Sequence, residues 1–411
     1  MKLVVLAPFG VFPPRSAAHI AVLEPARRLL SLGHEVSLVT AGLRSFEPLH
    51  FHSFEQDIGG GLREHRVLSL WDLLNRKLRG TGRLPPVQLS RLLERKAPPT
   101  VRNLLQEADA AIVESPWPFA FAKRHVRGPI LLIHHNLETD LHESALLLRG
   151  GGKALLQAKE VEGRAWREAD HRFVYHEGEA RQFEECFGSP GGPTWISPPG
   201  VDIEAYRPAT QEERLQARKQ LGIPRDVHVI LFTGSAHHPN KEALAYIHQE
   251  LHPFSDARSF FLVAGSVCPR PSKSPRLLET GPLDDLLPCF RAADCAINPM
   301  FSGSGMNQKV CQYLASGLPV LSTPFGARGF ESGETRGILL FSQVQEFLDL
   351  LFPLQESHEK RTKLGKAART YAETQLSWQS ITQTRLQALQ APPARKHPQK
   401  TPVGNASRKP Q

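Results

Sequence analysis

The chain has 411 residues, 40% of them hydrophobic and 22% charged. That length excludes a peptide hormone or a disulfide miniprotein, and the composition excludes global disorder while supplying apolar material for two or three domain cores. The formal charge of +9 is concentrated: Leu62 to Lys96 carries nine Lys/Arg against Glu64, Asp72 and Glu94, Ala391 to Gln411 carries five Lys/Arg and no acid, and the remaining body is close to neutral.

In chain order, Leu3 to Ala7 reads as a strand, and Pro8 to Arg15 as a Pro/Gly loop. A helix follows with Ala18, Val22, Leu23, Ala26, Leu29 and Leu30 on one face, ended by Gly33, and then a second strand at Val36 to Val39. Strand, helix, strand within about forty residues is a parallel unit of a doubly wound sheet. Ligands of such sheets bind beyond the carboxyl ends of the strands, so the loop carrying Gly10, Arg15 and Ser16 is a candidate binding site. No run approaches the roughly 20 apolar residues that cross a bilayer, and neither a signal peptide nor a transmembrane helix is read.

The amphipathic, basic stretch Leu70 to Arg79 reads either as a helix lying on an anionic membrane surface or as an ordinary surface helix turning its leucines inward. Basic residues without aromatic interleaving or a recognisable module do not read as nucleic-acid binding. Further strands are expected at Ala110 to Val113, Ile130 to Ile133 and Phe173 to Tyr175. The Pro/Gly-rich segment from Gly188 to Pro199 then marks a boundary between two lobes.

After it the pattern restarts, with buried strands expected at Val227 to Phe232, Phe260 to Ala264, Ala296 to Asn298 and Val320 to Ser322. Glu356 to Leu389 is helical in pattern, and the proline-rich tail beyond has no apolar periodicity, the composition of a disordered segment. Cys186, Cys268, Cys289, Cys295 and Cys311 form neither a C-x-x-C pair nor a zinc-ligand spacing. They are expected to be reduced, buried thiols in a cytosolic compartment, with no metal, which would leave the sequon at Asn405 without meaning.

Gly303 to Thr323, with small residues, then an amphipathic helix, then Ala315-Ser316-Gly317-Leu318-Pro319-Val320, resembles the donor-binding stretch of family 4 of the retaining glycosyltransferases. Other segments agree in order: His134-His135-Asn136-Leu137-Glu138, Pro198-Pro199-Gly200-Val201-Asp202 with Tyr206-Arg207-Pro208, Phe232-Thr233-Gly234-Ser235 with Pro239-Asn240-Lys241-Glu242, and Leu376-Ser377-Trp378. The resemblance implies an α/β fold of the GT-B type, two Rossmann-like lobes facing across a cleft. Residues 1–195 would form the acceptor lobe, 196–375 the nucleotide-sugar lobe, 376–390 a closing helix returning to the first lobe, and 391–411 the disordered basic tail.

The same resemblance implies a metal-independent, retaining transfer from a nucleotide-diphosphate sugar to a glycan or lipid-linked acceptor, the donor being a co-substrate and no cofactor being needed. Gly234, Ser235, Lys241, Gly303, Gly305, Met306, Asn307, Lys309 and Gln312 become the donor-binding candidates, and His135 and Ser304 the catalytic ones. Glycines before a helix let its backbone amides approach a diphosphate. Lys241 reads either as a phosphate-holding point charge or as a solvated lysine at a helix start, and His135 as a sugar contact or as a satisfied structural histidine. Asp202 is read as ordering the interdomain turn.

Two departures stand out. Ser235 occupies the place of the family's phosphate-binding arginine, and Ser304 and Gln312 stand where the family carries paired glutamates. A charged hydrogen bond contributes roughly 1.5 to 3 kcal/mol and a neutral one about 0.5 to 1.5, so Gln312 weakens the ribose contact without removing it. The rival is a non-catalytic scaffold of the same fold that binds nucleotide or glycan. A dinucleotide oxidoreductase is disfavoured because no G-x-G-x-x-G follows the first strand.

Overall fold

The structure, a computed structural model, describes residues 1–14, 16–42, 52–68, 87–140, 143, 152–303 and 305–391. The basic helix read over Leu70 to Arg79, the tail beyond 391, Arg15 and Ser304 lie outside the described residues.

The first lobe is built on an eight-stranded sheet in the order β3-β4-β2-β1-β5-β6-β7-β8. Its strands are β1 (Lys2–Ala7), β2 (Glu35–Ala41), β3 (Phe54–Asp57), β4 (Arg63–Val67), β5 (Ala110–Val113), β6 (Ile130–Ile133), β7 (His171–Val174) and β8 (Thr194–Ile196). All pairs are parallel except β3 with β4. The second sheet has seven strands in the order β11-β12-β10-β9-β13-β14-β15. These are β9 (His228–Thr233), β10 (Ser259–Ala264), β11 (Ser272–Ser274), β12 (Leu277–Glu279), β13 (Cys295–Asn298), β14 (Val320–Ser322) and β15 (Ile338–Leu340), and only β11 pairs antiparallel.

Each sheet reverses its strand order once, between β1 and β5 in the first lobe and between β9 and β13 in the second. Such a switch point opens a crevice at the carboxyl ends of the strands, where loops diverge to opposite faces. Helices cover both faces of each sheet, so central strands such as β5, β6, β9 and β10 are buried at every position.

The lobes meet along the Pro198–Asp202 segment and the last helix. Val201 bridges Ser377, and a Cβ on Gly200 would lie 2.1 Å from the Trp378 ring, so the residue there must be small. Asp202 Oδ1 accepts from the amides of Glu204 and Ala205, both at 3.0 Å, which makes it the former of the interdomain turn. Ser377 caps the Trp378–Gln390 helix by accepting from Ser380 N. That helix then packs Ala388 and Leu389 into the first lobe's core beside Val22, Ala26 and Leu29.

Several expectations are corrected. The stretch expected to be helical from Glu356 onward is helical from His358 to Leu376, with the helix His358–Tyr371 continued by a wider turn over Ala372–Leu376, and again over Trp378–Gln390, while Glu356 itself ends the preceding helix Val344–Glu356. Tyr175 lies just beyond β7 rather than in it. Cys186 is exposed near the end of the Glu177–Phe187 helix, while the other four cysteines are buried, all five free.

In the basic segment 62–96, Arg66 and Glu64 are not surface charges. They sit on β4 with side chains fully buried, paired at 2.9 Å. Glu64 also accepts from Thr40 Oγ1 and from Val11 N, and a Cβ on Gly10 would collide with the Arg66 guanidinium. A buried ion pair survives only when its remaining bonding capacity is met, and here the loop after β1 helps to meet it.

Candidate functional site

The first lobe's switch point is closed by a chain of buried polar contacts. Glu114, immediately after β5, has a wholly buried carboxylate. Oε1 accepts from Arg385 Nη1 of the closing helix at 2.7 Å, and Oε2 meets His135 Nε2 at 2.9 Å. His135 Nδ1 lies 2.8 Å from the Tyr175 hydroxyl. Burial opposes ionisation of Glu114, but Arg385 and the His135 bond outweigh it and hold the carboxyl below its usual range.

Burial pushes the Tyr175 phenol well up, so it keeps its proton. His135 Nε2 donates to the ionised Glu114 carboxylate, and Nδ1 shares its hydrogen bond with the Tyr175 hydroxyl. Both ring nitrogens are spent, so the imidazole stands as a fixed bridge in this arrangement. Neighbouring His134 is fully enclosed against Trp166 and Phe183, and desolvation drives its pKa down to about 3.

The second lobe's switch point is open by contrast. The turn after β9 runs through Gly234, whose carbonyl accepts from Val267 N at 3.0 Å. Exposed Ser235 gives its carbonyl and Oγ to Asn240 Nδ2, at 3.0 and 3.2 Å. Asn240 Oδ1 in turn accepts from Lys309 Nζ at 2.6 Å. Lys241 is exposed on the first turn of the His238–Tyr246 helix.

Across the crevice, exposed Gly303 faces Pro239, and Ser302 Oγ donates to Glu242 Oε2 at 2.5 Å. The Gln308–Ala315 helix starts after Asn307, whose Nδ2 donates to Gly326 O at 3.0 Å, so no side chain caps the first amides of the helix. Gln312 Nε2 donates to the Tyr206 hydroxyl at 2.9 Å, leaving its carbonyl as the acceptor.

Gly305 joins the two switch points. Its φ is +59°, the left-handed region, and a Cβ there would lie 2.8 Å from Asn136 Oδ1 of the first lobe. Met306 is buried in the second lobe's core and approaches His176 across Gly329, at the seam between the lobes.

On the acceptor side, Gly10 is buried against Arg66, and Ser16 caps the Ala17–Ser31 helix by accepting from His19 N at 3.5 Å. Sequence reasoning missed Glu114, Tyr175, Arg385 and Asn240. A carboxylate directly after a buried strand was a readable signal for Glu114; Arg385 carried none, being 271 residues away.

A separate cavity of about 230 Å³, lined by Arg218, Arg225, His228, Asp294 and Arg361 among others, opens at the amino end of β9. It lies at the opposite end of that strand from the crevice. Among the described residues no group of three or more His, Cys, Asp or Glu could hold a metal ion, and no helix is long and apolar enough to cross a membrane.

Two family models match the chain in tandem: Glycosyltransferase Family 4 over residues 18–205 and Glycosyl transferases group 1 over residues 227–354. Among curated proteins, the chain is 27% identical over 231 residues to D-inositol 3-phosphate glycosyltransferase of Corynebacterium aurimucosum, covering 51% of this chain and 54% of that one. It is 26% identical to a GDP-mannose-dependent monoacylated alpha-(1-6)-phosphatidylinositol monomannoside mannosyltransferase of Corynebacterium glutamicum, covering 52% of this chain and 60% of that one. The chain thus spans little more than half the length of these curated relatives.

Among solved structures it is similar in fold to sucrose-phosphate synthase from Thermosynechococcus elongatus, with a TM-score of 0.67 at 15% identity over 94% of this chain and 98% of that one. Anabaena HepE in complex with UDP gives a TM-score of 0.65 at 15% identity, over 95% and 100%.

Proposed function

The chain belongs to the family 4, group 1 glycosyltransferases, with the GT-B fold, and from that membership we propose that it transfers a sugar from a nucleoside-diphosphate sugar to a glycan or lipid-linked acceptor with retention of configuration. The observation that carries this reading is the switch point at the carboxyl ends of β9 and β13, with the side-chain-uncapped start of the Gln308–Ala315 helix and Gly305 close to Asn136 of the first lobe. Fold neighbours in complex with UDP and UDP-glucose support a nucleotide-sugar donor.

As the bond from the sugar C1 to the diphosphate breaks, negative charge grows on the departing oxygens. The amides at the start of the Gln308–Ala315 helix stabilise that charge. The acceptor hydroxyl attacks C1 from the same face and gives its proton to the departing diphosphate. No protein base is required, which fits a His135 whose nitrogens are both engaged. His135 then orients the acceptor lobe's loop at Asn136, and Gln312 offers its carbonyl to the ribose.

Work at the cytoplasmic face of a membrane, through exposed Arg91, Arg95 and Lys96 of the Leu89–Lys96 helix, belongs to the same reading.

The test supplies UDP-glucose, GDP-mannose and ADP-glucose to the purified protein with a panel of inositol phosphates, oligosaccharides and polyprenyl-linked glycans, and follows product anomers by NMR. An α-linked product from an α-linked donor supports retention. Nucleotide binding with neither transfer nor donor hydrolysis would assign the non-catalytic scaffold, a reading favoured by the absence of a carboxylate at Gln312 and of a glutamate at Ser304. Lys241→Ala and Gln312→Ala are expected to weaken nucleotide binding, and His135→Ala to leave it intact while lowering turnover.

A further inference from the structure

We propose that the cavity at the amino end of β9 is a second ligand site, one that takes a small phosphomonoester carrying a hydroxyl group. It goes beyond the transfer reading and does not depend on what the crevice binds. The cavity measures about 230 Å³, several times the roughly 30 Å³ that one water occupies in the liquid, so a ligand of several non-hydrogen atoms has room there. β9 runs from His228 to Thr233, which at about 3.3 Å per residue separates the cavity from the Gly234 turn by roughly 17 to 20 Å.

The inner wall of the cavity is already satisfied. Arg218 donates through Nε to Ala292 O at 3.0 Å, through Nη1 to Arg225 O and Val227 O, each at 3.1 Å, and through Nη2 to Asp294 Oδ2 at 2.5 Å. Asp294 also accepts from Arg214 Nη1 at 2.7 Å and from Val229 N at 2.8 Å. That carboxylate is spent on two arginines and leaves the other cations unanswered.

Around this wall the bonding is incomplete. Arg225 is exposed, and its guanidinium makes no hydrogen bond or ion pair among the described residues. Arg361 donates only through Nη1, to the carbonyls of Leu354 and Gln355, so Nε and Nη2 have no acceptor among the described residues. His228 is 7% exposed, and its Nε2 is buried without a partner. Gln355 gives Nε2 to Ser259 Oγ at 2.7 Å and to Asp256 Oδ1 at 3.2 Å, while its Oε1 is buried without a partner. An ionised carboxylate only accepts, so the amide must turn its NH2 to Asp256 and the carbonyl is the unspent end.

The charges of the lining do not balance. Four arginines, at 218, 225, 258 and 361, face two carboxylates, Asp226 and Asp294, which leaves 4 − 2 = +2. Burial drives the His228 pKa down to about 4, so the imidazole is neutral near pH 7. Outside the lining, Arg258 is answered by Asp256 at 2.9 Å and Glu356 at 3.8 Å. The excess therefore falls on Arg225 and Arg361, with exposed Asp226 the one lining carboxylate that bonds neither.

A phosphate oxyanion supplies what these groups lack. Its oxygens accept from the Arg225 and Arg361 forks and from His228, and charge-assisted bonds of this kind are the strong ones. Three donors on separate elements suit a tetrahedral group better than a planar carboxylate. The unspent Gln355 carbonyl calls for a donor in the same ligand, and a hydroxyl on the ester's organic part provides it.

The experiment is calorimetric titration of the full chain with glycerol 3-phosphate, inorganic phosphate and glycerol, on wild type, Arg225→Gln and Lys241→Ala. Arg225 bonds nothing through its side chain, so Arg225→Gln is expected to keep the wild-type melting temperature. It is expected to bind both anions about tenfold more weakly, the size of a lost charged hydrogen bond. Wild type is expected to prefer glycerol 3-phosphate over inorganic phosphate by roughly three- to tenfold, the size of a neutral hydrogen bond, and to ignore glycerol. Lys241→Ala, changed at the crevice, is expected to bind like wild type.

No binding of either anion by wild type would overturn the proposal. Wild-type affinity in Arg225→Gln together with weakened binding in Lys241→Ala would overturn it as well, by placing the anion in the crevice. Equal affinity for the two anions would overturn the hydroxyl requirement. A failure of UDP to bind would count against the donor reading and leave each of these outcomes as it stands.

Discussion

The two switch points have the same topology and opposite states of satisfaction. In the first lobe, Glu114, Arg385, His135 and Tyr175 bond one another, and neither His135 nitrogen is left free for a ligand. In the second, no side chain caps the helix amides, and among the described residues Lys309 meets a neutral amide oxygen, a thioether and a ring face. A closed set of bonds holds geometry, whereas a cation without a counter-charge can receive an anion. A shared switch-point topology therefore carries different polar environments in the two lobes, and the difference lies in which polar groups remain unspent.

The largest way to break this contrast is Glu114→Leu, which leaves Arg385 buried without its counter-charge. A loss of about 3 to 5 kcal/mol in unfolding free energy is expected, read by denaturant titration of the first transition. The same pair makes a pH prediction. The folded carboxyl titrates below its ordinary value of 4.5, so the pair's contribution is fully present above that value and is lost as pH falls through the folded pKa. In acid titrations wild type should be more stable than Glu114→Gln above 4.5, with the gap closing as pH falls through that window.

Next in size is Gly305→Ala, which places a Cβ at φ +59° and 2.8 Å from Asn136 Oδ1. About 1 to 2 kcal/mol of destabilisation is expected, with weakened nucleotide binding as the donor loop shifts.

Lys309→Met sharpens the second lobe's side. The folded pKa of about 7 lies below the ordinary 10.5, so the unfolded chain binds more protons between those values, and wild-type stability rises with pH through that interval. The ligand-free variant should lack that rise and be more stable near pH 7 by on the order of 1 kcal/mol. Asp202→Ala, which removes two acceptor bonds in an exposed turn, is the smallest, with an expected cost under about 1 kcal/mol in thermal unfolding.

The central parallel strands were legible because burial on both faces writes them as unbroken apolar runs: Ala110 to Val113 and Ile130 to Ile133 are strands end to end. β4 was hidden because Glu64 and Arg66 point inward as a pair, and paired charges have the same letters as solvated ones. The donor-site residues were named through the resemblance of Gly303 to Thr323 to a family stretch, a local pattern.

The first lobe's network was not legible. Its members come from the ends of β5 and β7, from the loop after β6 and from the closing helix, and local sequence says nothing about which distant arginine meets Glu114. The direction in which Lys309 points was likewise set by Asn240, a partner on a different helix.

The bond between Arg385 and Glu114 also has a place in time. Translation at roughly 5 to 20 residues per second separates the two residues by about 15 to 50 seconds of synthesis, since 271 positions lie between them. Throughout that interval the nascent first lobe holds a carboxylate with no arginine to meet it. The lobe that emerges first is thus completed last, and a ribosome that stalls within the second lobe leaves behind an unfinished first lobe exposed to proteases and chaperones.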